Sequence, residues 1–182
     1  MGFNENGQLG NWSFESRATP VQVRGLGQIA QVDSHGDHTL ALGRDGTVWT
    51  WGRNDQRQLG DGTREDRPAA EQVEPFADVI AVFGGCLHSV ALGSDGSVWT
   101  WGGNERGQLG RESTCSCQLP KRVDGMDAVV TIAAGWSNTL AVRREGSSWG
   151  WGGNQCGQVG DGTKDDRPMP TSVPALDYSV GG

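Results

Sequence analysis

Apolar and polar residues alternate along this chain in short runs that return every fifty residues. A β-branched run comes first, at residues 29–32, 79–82 and 129–132. A stretch led by His or Asn follows at 38–42, 88–92 and 138–142. Asp45-Gly46, Asp95-Gly96 and Glu145-Gly146 come next, and Asp-Gly between apolar runs is a strong hairpin signal. Beyond the turn lie residues 47–51, 97–101 and 147–151, each carrying two Trp two positions apart. A long turn-rich loop then leads to a fourth, weaker strand around Val23, Val73, Val123 and Val173. No window shows the helical spacing of apolar residues. The pattern predicts an all-β fold of β-propeller blades, each of four antiparallel strands, forming a partial ring or open arc.

The repetition extends to individual residues. Trp51-Gly52-Arg53-Asn54 returns as Trp101-Gly102-Gly103-Asn104 and Trp151-Gly152-Gly153-Asn154. Each is followed by Gln58-Leu59-Gly60, Gln108-Leu109-Gly110 or Gln158-Val159-Gly160, and Met1 to Gly10 is the same motif with Met for Trp. These motifs divide the chain into repeats 1–50, 51–100, 101–150 and 151–182, one partial propeller domain over 1–182. The Trp pairs (Trp49/Trp51, Trp99/Trp101, Trp149/Trp151) point to one sheet face each, where an aromatic fills the gap between blades and stabilises by roughly 2–3 kcal/mol. Gly52, Gly60 and their copies suit positive φ or close approach of blades. The column His38, His88, Asn138 reads as a side chain bonded to a loop, since a general base or metal ligand would not tolerate Asn.

The motif W-G-x-N-x-x-G-Q-L-G, then P-x-x-V, then H-T-L-A-L-x-x-D-G-x-V resembles the repeat of the regulator of chromosome condensation family, over essentially the whole chain. Phe83-Gly84-Gly85 looks like the glycine pair of kelch repeats, but the pair is missing from the sister columns and the kelch Tyr is absent. The resemblance implies a seven-bladed ring, which at fifty residues a blade takes about 350 residues. Complete blades are expected at 29–74, 79–124 and 129–174, with a lone outer strand near the N-terminus and a lone inner strand at 178–180. Such a chain does not close a ring by itself, and an open arc exposes apolar sheet faces at both ends.

Composition narrows the function. The 182 residues carry 15 Lys and Arg against 22 Asp and Glu, a net charge of −7. A phosphate-neutralising nucleic-acid binder needs a basic stripe, and none is visible. No apolar run reaches membrane-helix length, and the opening residues show no signal peptide. Four cysteines, Cys86, Cys115, Cys117 and Cys156, are too sparse for a disulfide scaffold. Cys115-Ser116-Cys117 lacks a second ligand pair at metal spacing. Free thiols in a reducing, cytoplasmic compartment are expected.

Several chemical motifs dissolve against the repeat. Gly146-Ser147-Ser148-Trp149-Gly150 fits a nucleophile elbow, but Ser148 stands in a strand where the sister copies have Val48 and Val98. Gly25, Gly27 and Ala30 fit a loose dinucleotide fingerprint with no helix behind it. Residues 61–66 and 161–166 carry acids at a suggestive spacing, yet their basic interruptions and missing bidentate Glu favour a solvated turn over Ca²⁺. Asn11-Trp12-Ser13 is a glycosylation sequon, relevant only to a secreted protein. No catalytic, cofactor or metal site is expected.

The expected function is a non-catalytic protein–protein interaction scaffold. The alternative is an exchange factor or regulator of a small GTPase, the activity that the resemblance attaches to the family's founding member. That activity is understood to use a wedge inserted into a blade, and the unbroken spacing leaves no room for one. The founding member's basic chromatin tail also has no counterpart here. A remote alternative is a light sensor, since Gly135-Trp136-Ser137-Asn138-Thr139 looks like the G-W-R-H-T motif of the plant ultraviolet-B photoreceptor, with its Arg and His replaced. In a four-strand meander the first and third connections share an edge. The first connections, 34–37, 84–87 and 135–137, and the long loops 61–67, 111–117 and 161–167 differ between copies, so that face is expected to bind the partner. The candidate contact residues are Asp37, Leu87 and Trp136. Trp136 has a second reading, folded inward to plug a channel or blade gap.

Overall fold

Each fifty-residue period folds into one antiparallel meander whose strands pair in sequence order. The computed structural model describes residues 1–74, 76 and 78–174. The first sheet comprises β1 (Ile29–His35), β2 (His38–Gly43), β3 (Val48–Gly52) and β4 (Arg67–Val73). The second holds β5 (Val79–Gly84), β6 (His88–Gly93), β7 (Val98–Gly102) and β8 (Cys117–Arg122). The third holds β9 (Val129–Ala134), β10 (Asn138–Arg143), β11 (Ser148–Gly152) and β12 (Arg167–Val173). Among the described residues these are three four-stranded blades of a partial propeller that close no ring. Among the described residues, no helix is long and apolar enough to cross a membrane.

The hairpins form where the turn residues demand them. Gly43 N donates to the Thr47 carbonyl at 2.8 Å, closing a three-residue loop that Gly46 completes at φ +81°. The Asp45 carboxylate accepts from the Thr47 amide and hydroxyl, at 3.2 and 2.7 Å, and so pre-forms the turn. β2 then pairs with β3 in a register that sets Ala41 opposite Trp49, which recurs as Ala91 with Trp99 and Ala141 with Trp149.

The core lies between sheets. Leu40, Leu42, Val48 and Val73 of the first sheet pack against Phe76, Val79, Val82, Ala91 and Trp101. One period later Val90, Leu92, Val98 and Val123 pack against Met126, Val129, Ile132, Ala141 and Trp151. Trp51, Trp101 and Trp151 are buried, and Trp99 and Trp149 border the same clusters, so the Trp pairs fill the seams as their spacing implies. Gly60 turns at φ +73°, and a Cβ there would lie 2.8 Å from the Trp101 indole nitrogen. The seam therefore requires glycine at that column.

Among the described residues, the outward faces of the first and third sheets have no such cover. Val32 is 58% exposed where its copies Val82 and Ile132 are buried, and Leu140 is 36% exposed where Leu40 and Val90 are buried. The expected strand around Val23 does not form. A single bridge, Gly2 to Arg17, repeats the Gly52–Arg67 rung of β3 and β4. Beyond that rung, residues 18–24 form no ladder among the described residues. The inner strand expected at 178–180 lies outside the described residues.

Candidate functional site

Most of the repeated polar residues are consumed by the seams. The Ser89 hydroxyl donates to the Gln58 carbonyl at 2.7 Å, and the Trp101 indole N–H donates to the same oxygen at 2.9 Å. With its proton committed there, Ser89 Oγ accepts from His38 Nε2 at 3.0 Å. The set recurs as His88, Thr139, Gln108 and Trp151, at 3.1, 2.9 and 3.0 Å. In this tautomer Nδ1 of both imidazoles is a bare, buried acceptor without a partner among the described residues. Burial pushes the His38 pKa down to about 4 and that of His88 to about 3, so both are neutral at pH 7. The expectation of a bond to a loop is corrected here. The partners, Ser89 and Thr139, stand in the next blade's second strand, β6 or β10.

The loop residues that repeat between copies are occupied in the same way. Asn4, Asn54, Asn104 and Asn154 are buried, each accepting from the backbone five residues on at 2.8–3.0 Å. The Asp61 carboxylate receives Asn54, Thr63 and Arg67, with Arg67 Nε at 2.9 Å. Asp161 repeats the arrangement. Burial alone would raise its carboxyl, but the Arg167 guanidinium, Thr163 and Asn154 outweigh that and hold it well below the usual range. Both carboxylates are saturated and charge-neutralised, an arrangement that suits a rigid turn.

The variable loops gather at one edge. The start of the third connection bonds to the end of the first in every repeat: Arg53 N to the Asp37 carbonyl (2.8 Å), Gly103 N to that of Leu87 (2.7 Å) and Gly153 N to that of Ser137 (2.7 Å). The second connections lie against the opposite linkers, with Arg44 N on the Gln28 carbonyl and Ser94 N on that of Asp78. Residues at the first connections of different blades also touch. Cys86 N donates to the Trp136 carbonyl at 3.1 Å, and the Trp136 ring meets His35 edge-on, centroids 6.2 Å apart. Trp136 is 71% exposed.

Leu87 and Trp136 share one cavity of about 430 Å³, open to solvent between the second and third blades. Cys86, Ser137, Gln56, Glu105, Arg106, Gln108, Gln155, Cys156 and Gln158 complete its lining, with Gly103 and Gly153. Asp37 does not join them. Its carboxylate accepts from Gln8 Nε2 at 3.2 Å and lies 3.7 Å from Arg53 Nη1, so internal partners hold it. Burial pushes the Cys86 thiol up, which keeps it protonated. None of the long-loop residues 61–67, 111–117 or 161–167 reaches the cavity. The wall comes instead from the changeable places after the Asn of the W-G-x-N-x-x-G motif: Gln56, Glu105-Arg106 and Gln155-Cys156. Their variation between copies was the available signal.

The remaining motifs fall into place as structure. Ser148 sits in β11, paired with Val142 and Val173. Gly27 and Gln28 run directly into β1. All four cysteines are free, and Cys117 Sγ lies 3.1 Å from the Leu119 carbonyl.

The Regulator of chromosome condensation (RCC1) repeat matches residues 1–42, 45–92 and 95–142, and a second form of the same repeat matches 29–58, 79–108 and 129–158. No curated protein sequence matches the chain. Among solved structures, human WBSCR16 superimposes with a TM-score of 0.83 at 23% identity, over 95% of this chain and 47% of that one. Prp20p from Saccharomyces cerevisiae, described with its binding properties to Gsp1p and histones, gives 0.76 at 23% identity over 85% and 40%. Yeast RCC1 (Prp20) bound to Kap60 gives 0.83 at 22% identity over 96% and 44%. This chain spans less than half the length of each, and identity this low establishes the fold alone.

Proposed function

Because the chain belongs to the regulator of chromosome condensation repeat family, we propose that it is a non-catalytic docking platform for a protein partner, engaged through the face that carries the first connections. One observation carries the reading: Leu87 and Trp136, apolar residues from two different blades, line one open cavity at that edge. An exposed Trp beside a Leu is the composition of an interface anchor. The polar residues that repeat in every unit are occupied in seams and turns, which supports binding over chemistry. A net charge of −7 favours a protein over nucleic acid. Four free cysteines fit a reducing, cytoplasmic setting.

Quantitative affinity capture from the native lysate tests the assignment. Trp136→Ala and Leu87→Ser should each weaken partner retention about tenfold or more, since truncating an anchor costs roughly 2 kcal/mol. Arg44→Ala and Ser94→Ala, at the opposite edge, should leave it unchanged. A greater loss from the opposite-edge changes would reverse the face. Accelerated nucleotide release from a small GTPase on adding the protein would replace the scaffold with an exchange factor.

A further inference from the structure

The first repeat shows what the cavity lacks. There Arg53 lies between two carboxylates, its Nη2 2.7 Å from Asp55 Oδ2 and its Nη1 3.7 Å from Asp37 Oδ2. Hydrogen bonding to Asp55 raises its pKa further, so the guanidinium is a fixed cation in that place. One period on, Arg53 becomes Gly103, Asp37 becomes Leu87 and Asp55 becomes Glu105. A further period on, the Arg is again missing, at Gly153. Gly103, Leu87, Glu105 and Gly153 all line the cavity, so the open volume lies where the first repeat carries its own guanidinium. Glu105 keeps the acidic column without the cation, and it has no ion pair among the described residues.

We propose that this cavity takes an arginine side chain of the partner, in the position that Arg53 fills internally in the first repeat. The assignment rests on the docking face described above and names what that face selects. Glu105 supplies the carboxylate, as Asp55 does for Arg53. Leu87, standing where Asp37 was, covers the methylene stem of the incoming residue. The exposed Trp136 indole offers a face for cation–π contact, for which guanidinium is the commonest partner. Arg106 is also on the wall, but its Nη1 is 3.2 Å from Asp166 Oδ2, so its charge is already paired. The Gln108 side chain is buried, and its Oε1 is occupied by the Arg106 amide at 3.0 Å. A basic side chain also complements a chain of net charge −7.

The test uses a blocked pentapeptide, Gly-Gly-Arg-Gly-Gly, titrated into the ¹⁵N-labelled chain. Three counterparts carry citrulline, Lys or Glu in place of Arg. The Arg peptide should give saturable shifts at the Gly103 amide and the Trp136 indole N–H, weakening as salt rises. Citrulline, equal in shape but uncharged, should bind about tenfold more weakly, and Lys should fall between them because it lacks the planar fork. Glu105→Gln should weaken the Arg peptide about fivefold or more. Gly103→Arg should abolish its binding, because it rebuilds the internal cation of the first repeat; backbone amide spectra verify that this variant stays folded. Equal binding of the Arg and citrulline peptides, tighter binding of the Glu peptide, or no shift at either reporter overturns the assignment. If the peptides fail while Trp136→Ala still lowers partner capture, the docking face stands and only the arginine falls.

Discussion

Lowering the pH should pull the blades apart at their two internal seams, and two residues set the window. His38 and His88 are neutral, buried and bonded through Nε2, each with a partnerless Nδ1. Their pKa values, about 4 and about 3, lie below the ordinary imidazole value of about 6.5. Burial is the main cause; charge repulsion from His35 and Arg53 at His38, and from His38 and His35 at His88, acts in the same direction. The unfolded chain therefore takes up protons at both positions before the folded one does. Stability is complete above pH 6.5 and falls as pH drops toward the folded values. Each residue costs about 1.4 kcal/mol per pH unit in that window. At pH 4.5 the two together cost about 5 kcal/mol, comparable to the whole stability of many domains. Carboxylates held low, such as Asp61 and Asp161, keep their contribution above the ordinary carboxylate value of about 3.9 and lose it as pH falls below that, so they add little to this slope. Urea unfolding followed by Trp fluorescence from pH 7.5 to 4.5 measures the slope. The control is the double variant His38→Asn/His88→Asn, using the residue that the third repeat already carries at Asn138. The parent should lose about 3 kcal/mol per pH unit below pH 6, and the double variant should lose most of that slope. An equal slope in both proteins would refute the reasoning, because the proton uptake would then lie elsewhere.

Two Trp residues in contrasting surroundings should behave oppositely. Trp101→Ala, in a seam, should cost about 3–5 kcal/mol in urea unfolding, whereas Trp136→Ala should stay within about 0.5 kcal/mol of the parent; similar losses would contradict the seam assignment. Arg57 has φ +67° in a column where the other copies are Gly7, Gly107 and Gly157, and its buried Nε has no partner. Arg57→Gly should therefore raise stability by about 1 kcal/mol, and a lowered melting temperature would mean that packing of the Arg stem outweighs the backbone strain.

The strands, their order and the seam aromatics were legible in the sequence because they depend on short-range rules. Alternation sets which side of a strand each residue faces, Asp-Gly closes each hairpin, and the fifty-residue repeat makes each unit a control for the others. Trp101 and Gly60 were both identifiable from their columns. The site was only half legible. Leu87 and Trp136 stood out as apolar departures in polar loops, but their convergence depends on how the second and third blades stack. Asp37 looked equally available until tertiary structure gave it Gln8 and Arg53. The partners of His38 and His88 lie 51 residues away along the chain. No local pattern encodes contacts of that separation, because they exist only once one sheet lies on the next. The missing strand at Val23 has the same origin: its residues resemble those of β4, but a strand is stable only against a neighbour that accepts its hydrogen bonds. The sequence by itself determined the blade. The stacking of blades decided which of its side chains remain free to bind anything else.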